Sequence, residues 1–135
     1  MSTTIFVNLP VKDLERSKRF WTKLGYSFDP VFTDDNAACL VISEHIYAML
    51  LVEPFFKNFT SKSIADTATT TEAILALGVE SRDRVDELVD AAFAAGASPS
   101  GDAMDEGPMY LRRFADPDGH LWEVFYMDQS AIPSS

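Results

Sequence analysis

Blocks of apolar and polar residues predict one strand, one helix and three further strands in the first half of the chain. Ile5–Val11 is apolar and rich in β-branched residues, which is typical of a strand. Asp13 is a suitable N-cap for a helix from Leu14 to about Leu24, and Gly25 favours its end. Three further apolar runs predict strands at about residues 26–33, 37–42 and 45–52.

The same order of elements returns in the second half. Residues 72–79 predict a strand, Ser81 is a suitable N-cap, and the helix that follows ends near Gly96. The apolar face of this helix consists of Val85, Leu88, Val89 and Ala92. A short strand at about 97–103 and two longer ones complete the half, at Met109–Ala115 and Leu121–Met127.

The repeated order predicts an α+β fold of two βαβββ modules that pair into a curved mixed sheet and leave a cleft between them. We expect one domain over residues 1–130. Its modules lie at about 4–53 and 71–128, joined by a Ser- and Thr-rich linker at about 54–70.

An Asp-Pro-Asp-Gly turn at residues 116–119 leads into the last predicted strand. Pro restricts φ, Asp can bond its own backbone, and Gly accepts a positive φ. Glu123 then stands in an apolar run, where a carboxylate needs a metal, a substrate proton or a positive partner. The tetrapeptides at 45–48 and 120–123 occupy the same relative place in the two halves, so Ala48 matches Glu123.

Composition and charge exclude several classes of protein. Of the 135 residues, 47% are hydrophobic, enough for a substantial core, yet no apolar run reaches the roughly 20 residues of a membrane span. The net charge of −10 repels phosphate, so we expect neither nucleic-acid nor membrane partners. Cys39 is the only cysteine, and the N-terminus lacks the basic region of a signal peptide, so we expect a cytoplasmic protein.

Two motifs resemble the vicinal-oxygen-chelate superfamily, which includes glyoxalase I, fosfomycin-resistance proteins, bleomycin-binding proteins and extradiol dioxygenases. They are the opening segment at 8–26 and the Asp-Pro-Asp-Gly-His sequence at 116–120. The chain is also similar to short bacterial proteins described as predicted lactoylglutathione lyases, through residues 6–13, 70–72 and 105–110. The resemblance covers nearly the whole chain and implies a homodimer that binds a small molecule in the cleft.

The resemblance also implies where a metal would bind. One ligand position falls seven residues before the Asp that begins the first helix, at Phe6, and a second falls at Ile74. A third is Glu123, and its match in the first half is Ala48. Only Glu123 can bind a cation, whereas zinc sites take at least three protein ligands. We therefore expect the usual metal site to be degenerate, with no cofactor.

The alternative is a metal-dependent glyoxalase-like lyase or isomerase with an atypical site at Asn8, Glu72 and Glu123. Asn8 and Glu72 each lie two residues from an implied position, on the same strand face. Two strand residues span about 6.6 Å, so this site requires a rebuilt geometry. Without a metal, Glu123 is either a general base or a structural acid paired with Arg112 or Arg113. Whether the protein is an enzyme stays open.

Tyr110 and Arg112 are further candidates, because alternation places them on one strand face. If this face is inward, they offer a hydroxyl and a guanidinium to an anionic ligand. If it is outward, Arg112 is a solvated charge and Arg113 takes the inner place. Three linker aromatics lack a strand to pack on and favour a dimer contact over a lid: Phe55, Phe56 and Phe59.

Overall fold

The computed structural model describes residues 2–128 and 130. The chain forms two compact units, one ending at Asp66 and the other beginning at Thr67. Each unit holds a four-stranded mixed sheet with a helix packed against it, which confirms the predicted α+β class with two βαβββ modules. No helix in the described part of the chain is long and apolar enough to cross a membrane.

The first unit follows the predicted order of elements. These are β1 (Ile5–Val11), α1 (Leu14–Lys23), β2 (Ser27–Asp29), β3 (Ala37–Ser43) and β4 (Ile46–Val52). Their order in the sheet is β1-β4-β3-β2, with β1 parallel to β4 and the other pairs antiparallel. Helix α2 (Glu53–Phe56) and a 3₁₀ turn (Lys57–Phe59) follow, so the predicted linker begins with helical structure.

Helix α1 begins where the sequence predicts because Asp13 caps it. The carboxylate of Asp13 accepts a hydrogen bond of 3.1 Å from the backbone N–H of Arg16. The buried side of the helix carries Phe20 and Trp21, each 1% exposed, and the helix lies against β3 and β4. The core of the first unit therefore lies between α1 and this sheet.

The second unit repeats the arrangement. Its elements are β5 (Ile74–Gly78), α3 (Arg82–Ala94), β6 (Met104–Glu106), β7 (Met109–Ala115) and β8 (Leu121–Met127). The sheet order is β5-β8-β7-β6, with β5 parallel to β8. Helix α3 packs on β7 and β8, and its predicted apolar face is fully buried, as expected for Val85, Leu88, Val89 and Ala92.

Asp116 organises the turn between β7 and β8. The residue is buried, with 7% of its surface exposed. Its carboxylate accepts hydrogen bonds from the backbone N–H groups of Asp118 (2.9 Å) and His120 (3.0 Å). It also accepts one from the indole N–H of Trp122 (2.9 Å). Burial raises the pKa of Asp116, and the donated hydrogen bonds oppose this by favouring the charged form. Gly119 has the positive φ that the turn predicts, +84°.

The start of the second unit is attached to this turn. The hydroxyl of Thr67 donates a hydrogen bond of 2.5 Å to the carbonyl oxygen of Asp118. A Cβ atom on Gly119 would lie 3.0 Å from the carbonyl oxygen of Thr67. Glycine is therefore required at position 119 both by the backbone angle and by this close approach.

Three predicted strands differ most from those in the structure. The predicted strand at 97–103 is wrong: it is reduced to a bridge between Ser98 and Ala115, and β6 lies later in the chain. Pro99 lacks an N–H group for a ladder and explains the interruption. The strand predicted at 26–33 ends early because Pro30 begins a 3₁₀ turn. The strand predicted at 72–79 begins two residues later and ends one residue earlier, as β5.

Candidate functional site

The sheet of the second unit has two chemically different faces. Tyr110 and Arg112 bond to side chains of α3, so they lie on the helix side of β7. Because side chains alternate along a strand, Arg113 and its register partner Glu123 project from the other side. We call this side the helix-free face. It carries Ile74, Ala76, Met109, Leu111, Arg113, Leu121, Glu123, Phe125 and Met127.

Arg113 and Glu123 form the charged pair of the helix-free face, on neighbouring strands β7 and β8. The Nε atom of Arg113 lies 3.5 Å from Oε2 of Glu123, and the two side chains are 31% and 20% exposed. Within the described residues, no acceptor takes a hydrogen bond from this Nε atom. Nη2 of Arg113 lies 3.0 Å from the sulfur of Met104, a weak acceptor. Of the two arginines that the sequence offers to Glu123, the partner is therefore Arg113.

Gly101 leaves the space that the Arg113 side chain occupies. A Cβ atom at position 101 would lie 3.1 Å from Cδ and 3.3 Å from Nη1 of Arg113. The φ of Gly101 is +149°, which also disfavours other residues. The sequence carries no signal that links Gly101 to Arg113, because the contact depends on how the loop before β6 folds back on β7.

The helix side of the same sheet contains a separate polar network. The hydroxyl of Tyr110 donates a hydrogen bond of 2.6 Å to Asp86 on α3. Nη1 of Arg112 lies 3.0 Å from Asp86 and 2.8 Å from Asp90, one helical turn away. The hydrogen bond from Tyr110 lowers the pKa of Asp86, and the same bond raises the pKa of Tyr110.

This network decides between the two orientations that the sequence left open. Tyr110 and Arg112 share a face, as alternation predicts, but it is the face covered by α3. Arg112 is only 21% exposed and ion-paired, so it is not a solvated charge either. The structure does not bring Tyr110 and Arg112 together with Glu123, and Arg113 takes the place beside that carboxylate.

Comparison with known proteins addresses the fold. The family profile described as "Bleomycin resistance protein-like N-terminal" matches residues 3–43. None of the curated proteins matches the sequence. Among solved structures, a hypothetical protein from S. aureus is 25% identical with a TM-score of 0.78, over 93% of this chain and 94% of that one.

Two further structures resemble the chain over most of its length. A glyoxalase-related enzyme from Fulvimarina pelagi is 22% identical with a TM-score of 0.77, over 93% of this chain and 88% of that one. The fosfomycin resistance protein FosX from Listeria monocytogenes is 17% identical with a TM-score of 0.67, over 100% and 96%. The chain has the vicinal-oxygen-chelate fold. The resemblance predicted from the sequence is thereby confirmed.

The register of the vicinal-oxygen-chelate sheets corrects one implied ligand position. Glu123 pairs with Ala76, which lies two positions beyond Ile74. Phe6 is the equivalent of Ile74 in the first half, and Asn8, two positions beyond Phe6, pairs with Met49. The first-half match of Glu123 is therefore Met49, and the predicted match, Ala48, is wrong by one residue. A shift of one residue moves a side chain to the other face of a strand, and Ala48 has no exposed surface.

The residues at the positions where the resemblance implies metal ligands do not fit a divalent cation. These positions carry Phe6, Met49, Ile74 and Glu123. A phenyl ring and an alkyl chain have no lone pair to donate, and a thioether suits soft metals such as Cu(I). Across residues 2–128 and 130, no three His, Cys, Asp or Glu side chains form a group that could hold a metal ion.

The alternative ligand set stays a prediction, and β5 makes its geometry demanding. Ala76 is the residue opposite Glu123, and Glu72 lies four positions earlier, exposed and ahead of the strand. Four extended residues span about 13 Å, whereas metal–oxygen bonds are about 2.0–2.2 Å. Glu72 and Glu123 can share a metal only if the chain before β5 folds back. Asn8, the third member of the set, belongs to β1 in the first unit.

Aromatic rings occupy the corresponding part of the first unit in this vicinal-oxygen-chelate fold. The ring of Phe6 stacks on that of Tyr47, its register partner, with centroids 4.6 Å apart and planes at 10°. Phe6 is nevertheless 47% exposed. Where the resemblance implies a metal ligand, this chain therefore presents an apolar, partly open aromatic surface.

Proposed function

We propose that this protein binds a small organic molecule against the helix-free face of its second unit, without the metal ion of glyoxalase-type isomerases. The observation that carries the proposal is the mainly apolar surface of this face, which carries Ile74, Leu111 and Phe125 on the same side as the charged pair of Arg113 and Glu123. These three neighbours are apolar, so the face supplies surface for an apolar ligand rather than several charges for a cation. Ligand sites are mostly apolar, with a few polar groups that fix orientation.

Glu123 and Arg113 supply those polar groups. The carboxylate of Glu123 can accept a hydrogen bond from a ligand, and the guanidinium of Arg113 balances its charge in half-buried surroundings. Transfer of a proton to Glu123 would leave Arg113 without its ion pair, on a face where a lone charge is costly. The pair therefore supports binding rather than proton abstraction as the primary role.

Metal analysis separates this proposal from a metal-dependent lyase. We expect no stoichiometric binding of Zn²⁺, Ni²⁺ or Mn²⁺ by calorimetry, and no conversion of the hemithioacetal of methylglyoxal and glutathione.

We also expect bleomycin or fosfomycin, tested as probes, to raise the melting temperature, because a ligand that binds only the folded state stabilises it. The matched variant is Glu123→Gln, which keeps the shape and removes the charge. Stoichiometric metal binding that disappears in this variant would contradict the proposal and favour the lyase.

We also propose that the protein is a homodimer, as the resemblance implies. Phe59 is 65% exposed, although its ring contacts that of Phe55 edge-on at 5.3 Å. Light scattering should give twice the 15.0 kDa mass of one chain. Phe59→Ser should weaken the dimer about tenfold or more, the value of burying one Phe side chain. Val31→Ser, at another exposed apolar residue, is the control. A single-chain mass for the unaltered protein would refute the dimer.

A further inference from the structure

Two neighbouring arginines on β7, Arg112 and Arg113, differ in the strength of the hydrogen-bond acceptors around their guanidinium groups. Arg112 has two carboxylate oxygens within 3.0 Å of one guanidinium nitrogen. Arg113 has one carboxylate at 3.5 Å, without a hydrogen bond from Nε, and a thioether at 3.0 Å. Among the described residues, Arg113 therefore lacks the strong acceptor that a partly desolvated guanidinium favours.

From this difference we propose that Arg113 binds an anionic group of the ligand, a carboxylate or a phosphonate-type group. The inference rests on the proposed function, because it assumes that the helix-free face binds a small molecule. The remainder of the ligand would be apolar, since the neighbours of the pair on this face are Leu111, Leu121 and Phe125. An apolar body with one negative end matches this combination.

Glu123 does not prevent an anion from binding to Arg113. A guanidinium carries five N–H donors in a planar fork and can serve two anions at once. Arg112 does so in this same sheet, between Asp86 and Asp90. The incoming anion would take the edge of Arg113 that now faces the sulfur of Met104, while Glu123 keeps its place near Nε.

The charge of the protein makes this recognition selective. At a net charge of −10 the surface repels anions in general, so only those that gain direct hydrogen bonds and apolar contact are retained. Arg82 is a weaker candidate for binding the anion than Arg113, because both of its terminal nitrogens already bond to the carboxylate of Asp105, at 2.6 and 3.1 Å. Glu123 would also repel a second negative group beside the first, which favours ligands with a single anionic end.

Three probes with one ring test the proposal: benzoate, phenylphosphonate and neutral benzamide. The full chain, labelled with ¹⁵N, is titrated while the Nε–Hε signal of Arg113 is followed by NMR and affinity is measured by calorimetry. The two anions should shift this signal and bind about tenfold or more tightly than benzamide, the value of a charge-assisted hydrogen bond. Comparing the affinities of benzoate and phenylphosphonate shows whether Arg113 prefers a carboxylate or a phosphonate.

Two arginine variants make the test specific. Arg113→Gln should lose the tenfold preference for the anions and leave benzamide binding unchanged. Arg112→Gln, with the same change of charge on the other face of β7, should retain the preference. Gly101→Ala provides a second way to disturb Arg113, by displacing its stem without removing its charge. It should shift the Nε–Hε signal and weaken binding of the anions only.

Equal affinity for benzoate and benzamide, or equal losses in Arg112→Gln and Arg113→Gln, would overturn the anion assignment. So would the absence of binding by all three probes. None of these results decides the proposed function, which fails separately if a stoichiometric metal ion binds and is lost in Glu123→Gln.

Discussion

Replacing Asp116 by Ala is expected to lower the free energy of unfolding by about 3 kcal/mol or more, the largest effect that we predict. The carboxylate is buried and accepts hydrogen bonds from Asp118, His120 and Trp122. Its removal takes away the acceptor of these hydrogen bonds, one from the indole N–H in the core and two from backbone N–H groups of the turn. Each unsatisfied buried donor costs about 1–3 kcal/mol.

Urea denaturation followed by tryptophan fluorescence measures this loss. Asp34→Ala is the matched control, because Asp34 also accepts from two backbone N–H groups, of Asn36 (2.8 Å) and Ala37 (3.0 Å), but is exposed. Water can replace its carboxylate, so we expect a loss of about 1 kcal/mol. Equal losses in the two variants would show that burial of Asp116 is not what makes it important.

Replacing Asp86 by Ala is expected to cost about 1–2 kcal/mol, because one carboxylate serves both Tyr110 and Arg112. We place the loss no higher because the Asp86 side chain is 47% exposed, so solvent screens its ion pair. Arg112 also keeps Asp90. Glu87→Ala, at the next and exposed residue of α3, should stay within about 0.5 kcal/mol.

The same network predicts how stability depends on pH. The pKa of Asp86 is lowered in the folded state, so its contribution is present above about pH 4 and is lost as the pH falls below that value. The pKa of Tyr110 is raised by its bond to Asp86, so its contribution is present below about pH 10 and is lost above it. Asp86→Ala should flatten both limbs of a plot of unfolding free energy against pH. Limbs as steep as in the unaltered protein would contradict this assignment.

Local chemistry explains why much of the fold could be predicted from the sequence. Asp13 and Ser81 cap their helices through bonds to the residues three positions later, as their residue types indicate. The bounds of Ile5–Val11, Met109–Ala115 and Leu121–Met127 are those predicted. In each case the signal lies within a few residues of the structure that it specifies, so one sequence suffices to read it.

The candidate site was less predictable because its geometry depends on distant parts of the chain. Strand alternation places Arg112 and Arg113 on opposite faces but does not say which face the helix covers. The acids of α3 hold that information: Asp86 and Asp90 lie one turn apart and can meet a basic residue of β7. The error at Ala48 has a similar origin, since matching short motifs does not determine strand register.

A fold can support different functions because function depends on the residues of the site. Both units have the βαβββ order of elements, yet three of the four ligand positions that the resemblance implies carry apolar residues. The fourth position keeps Glu123, which pairs with Arg113, and Gly101 leaves the space that this arginine occupies.

The bond between Thr67 and the Asp118 carbonyl has a consequence for how such modules can be exchanged between proteins. By strand bounds alone, a recombination breakpoint could fall just before Ile74. A transplanted module that began there would lack Thr67, so the turn at Asp118 and Gly119 would lose this hydrogen bond and would contact a segment of the other protein instead. A breakpoint between Asp66 and Thr67 keeps the threonine with the turn that it fits. Chimeras joined at the earlier point should therefore fold more readily than those joined at the first strand.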